Sequence, residues 1–154
     1  MRLTIILFLL TISIKGTGQG IPDYEQIAYD FYKETILTKY PKQKIVTVWT
    51  ELYKDFTRFD YPRCLDFKLI TGGSLNLNSS KRDQLIVNDN KRFRIRKNLK
   101  GPYPRVFSTV SYSTKIGQHI VTITEIYKHH LITYFVEMNN SGTVINWCKG
   151  GWMG

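Results

Sequence analysis

The chain has 154 residues, 42% hydrophobic, 14% aromatic and 22% charged, with a formal net charge of +10 at pH 7. That is ordinary globular usage, rich in Tyr; it excludes wholesale disorder and lets a core form without a metal or several disulfides. The positive excess is local: residues 81–105 hold nine Lys/Arg against Asp83 and Asp89, which points to an acidic partner rather than to diffuse solubility.

The N-terminus has the three parts of a secretory leader. Arg2 gives the positive start, Leu3 to Ile14 form an apolar run, and Gly16-Thr17-Gly18 offers small residues for cleavage. A membrane helix needs about 20 apolar residues, and Lys15-Gly16 stops this run earlier. The expectation is a signal peptide over 1–18, a single domain over 19–154, no membrane span in the mature chain, and a secreted or periplasmic location. In such a compartment Cys64 and Cys148 are expected to form one disulfide. Two separate buried thiols are the alternative, and two thiols alone do not make a structural zinc site.

Pro22-Asp23 with Gln26 three residues on is a helix start. Tyr24, Ile27, Ala28, Phe31, Tyr32, Thr35 and Ile36 recur at helical spacing, and Tyr40-Pro41 ends the pattern. One amphipathic helix is therefore predicted over 22–39. Strands are predicted over 44–53, 64–70 and 91–97, with a loop at 72–82 and a break at Gly101-Pro102-Tyr103-Pro104. From Arg105 onward four strands are expected, at 105–114, 119–128, 131–138 and 143–148. Their turns fall at 115–118, His129-His130 and Asn139-Asn140-Ser141-Gly142. The predicted fold is α+β: one N-terminal amphipathic helix packed on a curved antiparallel sheet ending in a four-strand meander.

Strand side chains alternate, so the turns fix which residues share a face. The predicted turns pair Ser108 with Glu125, Glu125 with Tyr134, and Tyr134 with Trp147. One face then carries Val106, Val110, Tyr112, Val121, Ile123, Tyr127, Ile132, Val136, Met138 and Ile145 as well. The row Ser108–Glu125–Tyr134–Trp147 contains the face's one ionisable residue. A buried carboxyl needs hydrogen-bond partners and in a cleft is a candidate acid, base or ligand contact. An end of the sheet simply wetted by solvent is the alternative.

A helix followed by a curved antiparallel meander, closing on Tyr134-Phe-Val-Glu-Met-Asn-Asn-Ser-Gly-Thr-Val-Ile-Asn-Trp147, resembles the cystatin-like and nuclear-transport-factor-like folds in their final hairpin. The resemblance covers about the last 45 residues. It implies a ligand cavity in the cone between helix and sheet, in a group where some members are enzymes. No catalytic motif of that group stands in this sequence.

Arg92-Phe93-Arg94-Ile95-Arg96 alternates strictly, so a strand places Arg92, Arg94 and Arg96 on one face, about 6–7 Å apart. That spacing suits phosphates, sulfates or carboxylates; a solvated face that discourages edge pairing is the alternative. Phe93 points the other way, which disfavours nucleic acid, whose bases want stacking aromatics on the same face. An acidic protein, a polysaccharide or another anionic ligand fits. His119, His129 and His130 lack metal-ligand spacing, and no glycine-rich phosphate loop or nucleophile elbow is present. No cofactor and no catalytic residue is assigned. Three readings remain: an exported binding domain using the sheet cavity, the basic strand or both; a small secreted hydrolase, such as a nuclease, centred on Glu125; and an inhibitor or immunity-type partner of another secreted protein.

Overall fold

The computed structural model of the chain describes residues 20–39, 45–54, 76–77, 81–88, 90–97, 100–114 and 117–153. The expected leader over 1–18, Cys64, the strand predicted over 64–70 and much of the 72–82 loop lie outside these residues.

Asp23 starts the helix as its sequence position suggests. Its carboxylate accepts from the Gln26 amide, which has no helical partner, at 3.3 Å, and its carbonyl accepts the helix's first backbone bond, from Ile27 at 3.0 Å. Asp23 is also paired with Arg82. Helix α1 runs Tyr24–Phe31 and continues as a π turn, Tyr32–Ile36, and a 3-10 turn, Leu37–Lys39. The Thr38 hydroxyl donates to the Thr35 carbonyl at 2.9 Å and to the Glu34 carbonyl at 3.2 Å, covering the helix's last acceptors. The buried stripe is wider than a simple apolar face: Tyr24, Ala28, Tyr32 and Ile36 are buried, and so are Glu25 and Tyr29 beside them.

Among the described residues eight strands form one sheet. They are β1 (Val46–Trp49), β2 (Asn76–Leu77), β3 (Phe93–Arg96), β4 (Arg105–Ser108), β5 (Tyr112–Ser113), β6 (His119–Ile126), β7 (His130–Met138) and β8 (Val144–Met153). β6 is antiparallel to β4, β5 and β7, and β7 is antiparallel to β8. The wholly antiparallel sheet expected from the sequence is corrected at β1, which runs parallel to both its neighbours, β3 and β4. Parallel pairing requires a long connection between the paired strands, and the chain between 50 and 92 provides it.

The first expected meander strand, 105–114, is broken in two. Thr109 lies against Thr122, hydroxyl to hydroxyl at 3.2 Å, while Tyr112 lies opposite Ile120. Those positions share one face of β6, so the segment 109–112 contains one residue too many for a regular strand, a bulge. The bulge moves Tyr112 off the helix-covered face assigned to it from the sequence.

Two turns are also displaced. Tyr127 bonds His130 at 2.9 Å, so the β6–β7 turn is Lys128-His129 rather than His129-His130. Between β7 and β8, Met138 lies opposite Val144, and a register shift follows at Glu137/Met138. The turn itself is held by the Asn139 side chain, which accepts from the amides of Ser141 and Thr143 at 3.0 and 2.9 Å. Gly142 in this turn has φ +81° and touches the start of the helix; a Cβ there would come within 2.8 Å of Ile27 and 3.0 Å of Pro22. Only glycine meets both the backbone and the space demand.

Both faces of the sheet are buried. One carries Val106, Val121, Ile123, Tyr134 and Val136 and meets α1; the other carries Phe107, Thr109, Thr122, Thr124 and Phe135. On the second face the buried threonines satisfy one another, Thr124 with Thr133 at 3.1 Å in addition to Thr109 with Thr122.

Candidate functional site

The true register changes which residues sit side by side. Ser108 lies opposite Ile123, which lies opposite Tyr134, which lies opposite Lys149. Glu125 lies between Val106 and Ile132. The expected row Ser108–Glu125–Tyr134–Trp147 is therefore split, each pairing having slipped by two residues: the β6–β7 turn slips it by two, and at the other two connections the turn supplies one and a strand irregularity the second. Because a strand repeats every two residues, the slip leaves the side chains on the same face.

Glu125 is 1% exposed. Tyr32 donates to its Oε1 at 2.6 Å, and Tyr127 and Tyr134 donate to its Oε2 at 2.9 and 3.4 Å. Each phenol reaches it for a local reason. Tyr127 stands two residues on, just past the end of β6, Tyr134 is a diagonal neighbour on β7, and Tyr32 descends from the helix stripe. Burial, and then the neighbouring carboxylate, push the Tyr32 phenol well above its usual pKa; the same two causes raise Tyr127. Both phenols thus stay protonated and donate at neutral pH. A carboxylate enclosed by three phenols has the hydrogen bonds that make its burial tolerable.

Around this centre the aromatic packing continues. Tyr32 lies 5.6 Å from Tyr134 between ring centroids, Tyr134 lies 6.4 Å from Trp147, and Trp147 lies 6.3 Å from Phe31. The Lys39 ammonium sits 5.2 Å over the Trp147 ring. Trp147 is only half-buried and lies opposite Val136, not Tyr134. Ser108 is fully buried, and its hydroxyl donates to the Thr109 carbonyl at 3.2 Å. The structure thus joins Tyr134 to both Glu125 and Trp147, and gives Ser108 a different role from the one expected.

The sequence row omitted Tyr32 and Tyr127. Tyr127 was legible, since i and i+2 share a strand face. Tyr32 was not, because no local signal says which residue of a helix stripe lies over which strand.

A second buried carboxylate, Glu25, carried no signal in the sequence. Its Oε1 accepts from the Ser111 amide at 2.8 Å. That amide belongs to the β4–β5 bulge, where strand partners are lost.

The three arginines of the basic strand separate. Among the described residues β3 is the terminal strand of the sheet. Phe93 is buried and Arg94 and Arg96 are exposed, as alternation requires. Arg92, just before the strand, is half-buried; it packs 5.9 Å over the Phe93 ring and donates to the Leu37 carbonyl at 3.2 Å, at the helix's C-terminal end. A cation there is favoured by the helix dipole. Lys91, Arg94, Arg96 and Lys97 make no ion pair among the described residues. The outer edge of β3 is closed by Asn90, whose side chain accepts from the amides of Arg92 and Phe93 at 2.8 and 2.9 Å and whose amide donates to the Phe93 carbonyl at 2.9 Å.

Cys148 is partly buried on β8, packed against the core. Among the described residues no group of His, Cys, Asp and Glu is arranged to hold a metal, and no helix is long and apolar enough to cross a membrane. No family model, no curated protein and no solved structure matches this chain.

Proposed function

We propose that the chain is an exported, non-catalytic binding domain that holds a polyanion, an acidic protein or polysaccharide, through Arg94 and Arg96. The observation that carries this reading is a pair of exposed arginines on one side of a strand that ends the sheet among the described residues, flanked by Lys91 and Lys97, with no ion pair to a carboxylate among those residues. Guanidinium groups match carboxylate, sulfate and phosphate geometry. Export is supported by the leader-like residues 1–18, and the Cys64–Cys148 bond is the pairing that compartment favours. One amphipathic helix laid on a curved meander is the corresponding fold; Tyr32 over Glu125 and the β6–β7–β8 order support it. A hydrolase centred on Glu125 is supported less, because a general acid or base must come within hydrogen-bond reach of substrate and both its oxygens are held by phenols in the core.

The test uses the exported protein on immobilised heparin and on immobilised polyglutamate, eluted with salt. The Arg94→Glu, Arg96→Glu double variant is expected to elute from both at clearly lower salt, with an unchanged circular dichroism spectrum and melting curve. Unchanged elution would remove the proposal. Intact mass of the same protein reports the cut before Gln19 and the disulfide.

A further inference from the structure

Strand register defines the side of the sheet from which the arginines project. Arg94 lies opposite Thr47, Thr47 lies opposite Arg105, and Arg96 lies opposite Trp49. Residues paired across neighbouring strands stand on the same face. Val46, Val48 and Phe93 alternate with them and belong to the core on the helix side, where Phe93 meets Tyr29. Arg94, Arg96, Arg105, Thr47 and Trp49 therefore share the face turned away from the helix.

The segment 101–104 is laid across this face. The Thr47 hydroxyl donates to the Pro102 carbonyl at 2.9 Å. A Cβ on Gly101 would stand 3.3 Å from the Thr47 methyl and 3.9 Å from the Arg96 side chain. Arg105 folds back over the segment: its Nε donates to the Gly101 carbonyl at 2.8 Å, and its guanidinium lies 4.2 Å over the Tyr103 ring. A guanidinium stacked on a ring steadies that ring. Tyr103 nevertheless stays 44% exposed. Trp49, on the same face, is half-buried and packs 6.5 Å from Phe107. The face thus offers a steadied, exposed ring together with the exposed guanidiniums of Arg94 and Arg96.

A flat ring beside acid-binding groups discriminates among polyanions. A run of Asp and Glu brings carboxylates but no ring to lay on Tyr103. A single-stranded nucleic acid stacks successive bases on several aromatic platforms, and among the described residues Tyr103 is the platform that stands exposed beside these arginines. A pyranose has an apolar C–H face that lies flat on one aromatic ring, and sulfate or carboxylate groups at its rim match a guanidinium.

We propose, resting on the polyanion reading above, that the ligand of this edge is an acidic polysaccharide, with one sugar ring on Tyr103 and its sulfate or carboxylate groups on Arg94 and Arg96. The test titrates the exported protein calorimetrically with a heparin octasaccharide and an oligogalacturonate, and with polyglutamate and oligothymidylate as polyanions without sugar acids. At least one of the two acidic sugars is expected to bind, and the tighter one names the acid group. Tyr103→Ala and Tyr103→Leu are expected to weaken it about tenfold, the weight of roughly one aromatic contact, and to leave polyglutamate unaffected. Tyr103→Phe, which keeps the flat ring, should bind like the parent. Tyr103→Leu keeps the bulk of the side chain, and the melting curves of all three variants should match the parent's. The proposal is overturned if neither acidic sugar binds, if both the alanine and leucine variants keep full affinity, or if oligothymidylate binds more tightly than either sugar. Full affinity in those two variants with loss in Arg94→Glu, Arg96→Glu removes this proposal alone; full affinity in the arginine variant removes the polyanion reading with it.

Discussion

The Tyr32 hydroxyl donates a 2.6 Å hydrogen bond to Glu125 across 93 positions of the chain, and both groups are buried. This contact fixes the helix over one point of the sheet. With Tyr127 and Tyr134 on the same carboxylate, it forms a polar knot inside an apolar layer, which packs well only in one arrangement.

Tyr32→Phe is expected to cost about 1.5–3 kcal/mol, the range for hydrogen bonds to charged groups. Glu125→Leu is expected to cost more, because it strands phenols that lose their acceptor. Glu125→Gln keeps an acceptor and should fall between the parent and Glu125→Leu. Urea unfolding with fluorescence detection gives all three. If Tyr32→Phe unfolds at the parent's midpoint, the knot contributes nothing.

Alkaline stability follows from the same tyrosines. Burial raises the folded-state pKa of Tyr32 and of Tyr29 above the usual value near 10. Below that value both states are protonated and the stabilisation is fully present. Above it the unfolded chain loses protons first, so stability falls as pH rises, by up to about 1.4 kcal/mol per pH unit for each of these two residues. Melting temperatures between neutral and strongly alkaline pH should stay level and then drop steeply. The drop should be shallower in Tyr32→Phe, and an identical alkaline slope in that variant would contradict the assignment.

Glu25 serves backbone, not chemistry. Glu25→Ala removes the acceptor of the Ser111 amide and should destabilise by about 1–3 kcal/mol, the cost of a buried polar group without its partner. Glu25→Gln should recover much of the loss. Hydrogen exchange at Ser111 gives the local readout: fast exchange is expected in the alanine variant and slow exchange in the parent and the glutamine variant.

Sequence periodicity carried parity further than pairing. Val121, Ile123, Tyr134 and Val136 share the helix-covered face, although the turns inferred from His129-His130 and Asn139–Gly142 placed their neighbours two residues away. Side-chain direction depends only on odd or even position, while register depends on which residue closes the turn. Tyr112 escaped even the parity argument, because the bulge before it adds one residue and nothing in Thr-Val-Ser announces that. The parallel setting of β1 was hidden for another reason: Val46–Trp49 reads equally well as a strand of either sense, and only contacts distant in sequence decide it. Arg92, Arg94 and Arg96 were expected together. Alternation placed the last two, but the first is claimed by the Leu37 carbonyl, a tertiary contact outside the reach of any pattern.

Asn90 has a consequence for how any partner can approach. It occupies the outward amide and carbonyl of Phe93, and the Arg96 guanidinium covers the Ile95 carbonyl at 3.1 Å. A strand from another molecule therefore finds almost no main-chain groups left to zip onto along this margin. Whatever meets Arg94 must engage side chains alone, so recognition there is indifferent to the partner's own backbone conformation, and a flexible, irregular polymer is as acceptable as an ordered one.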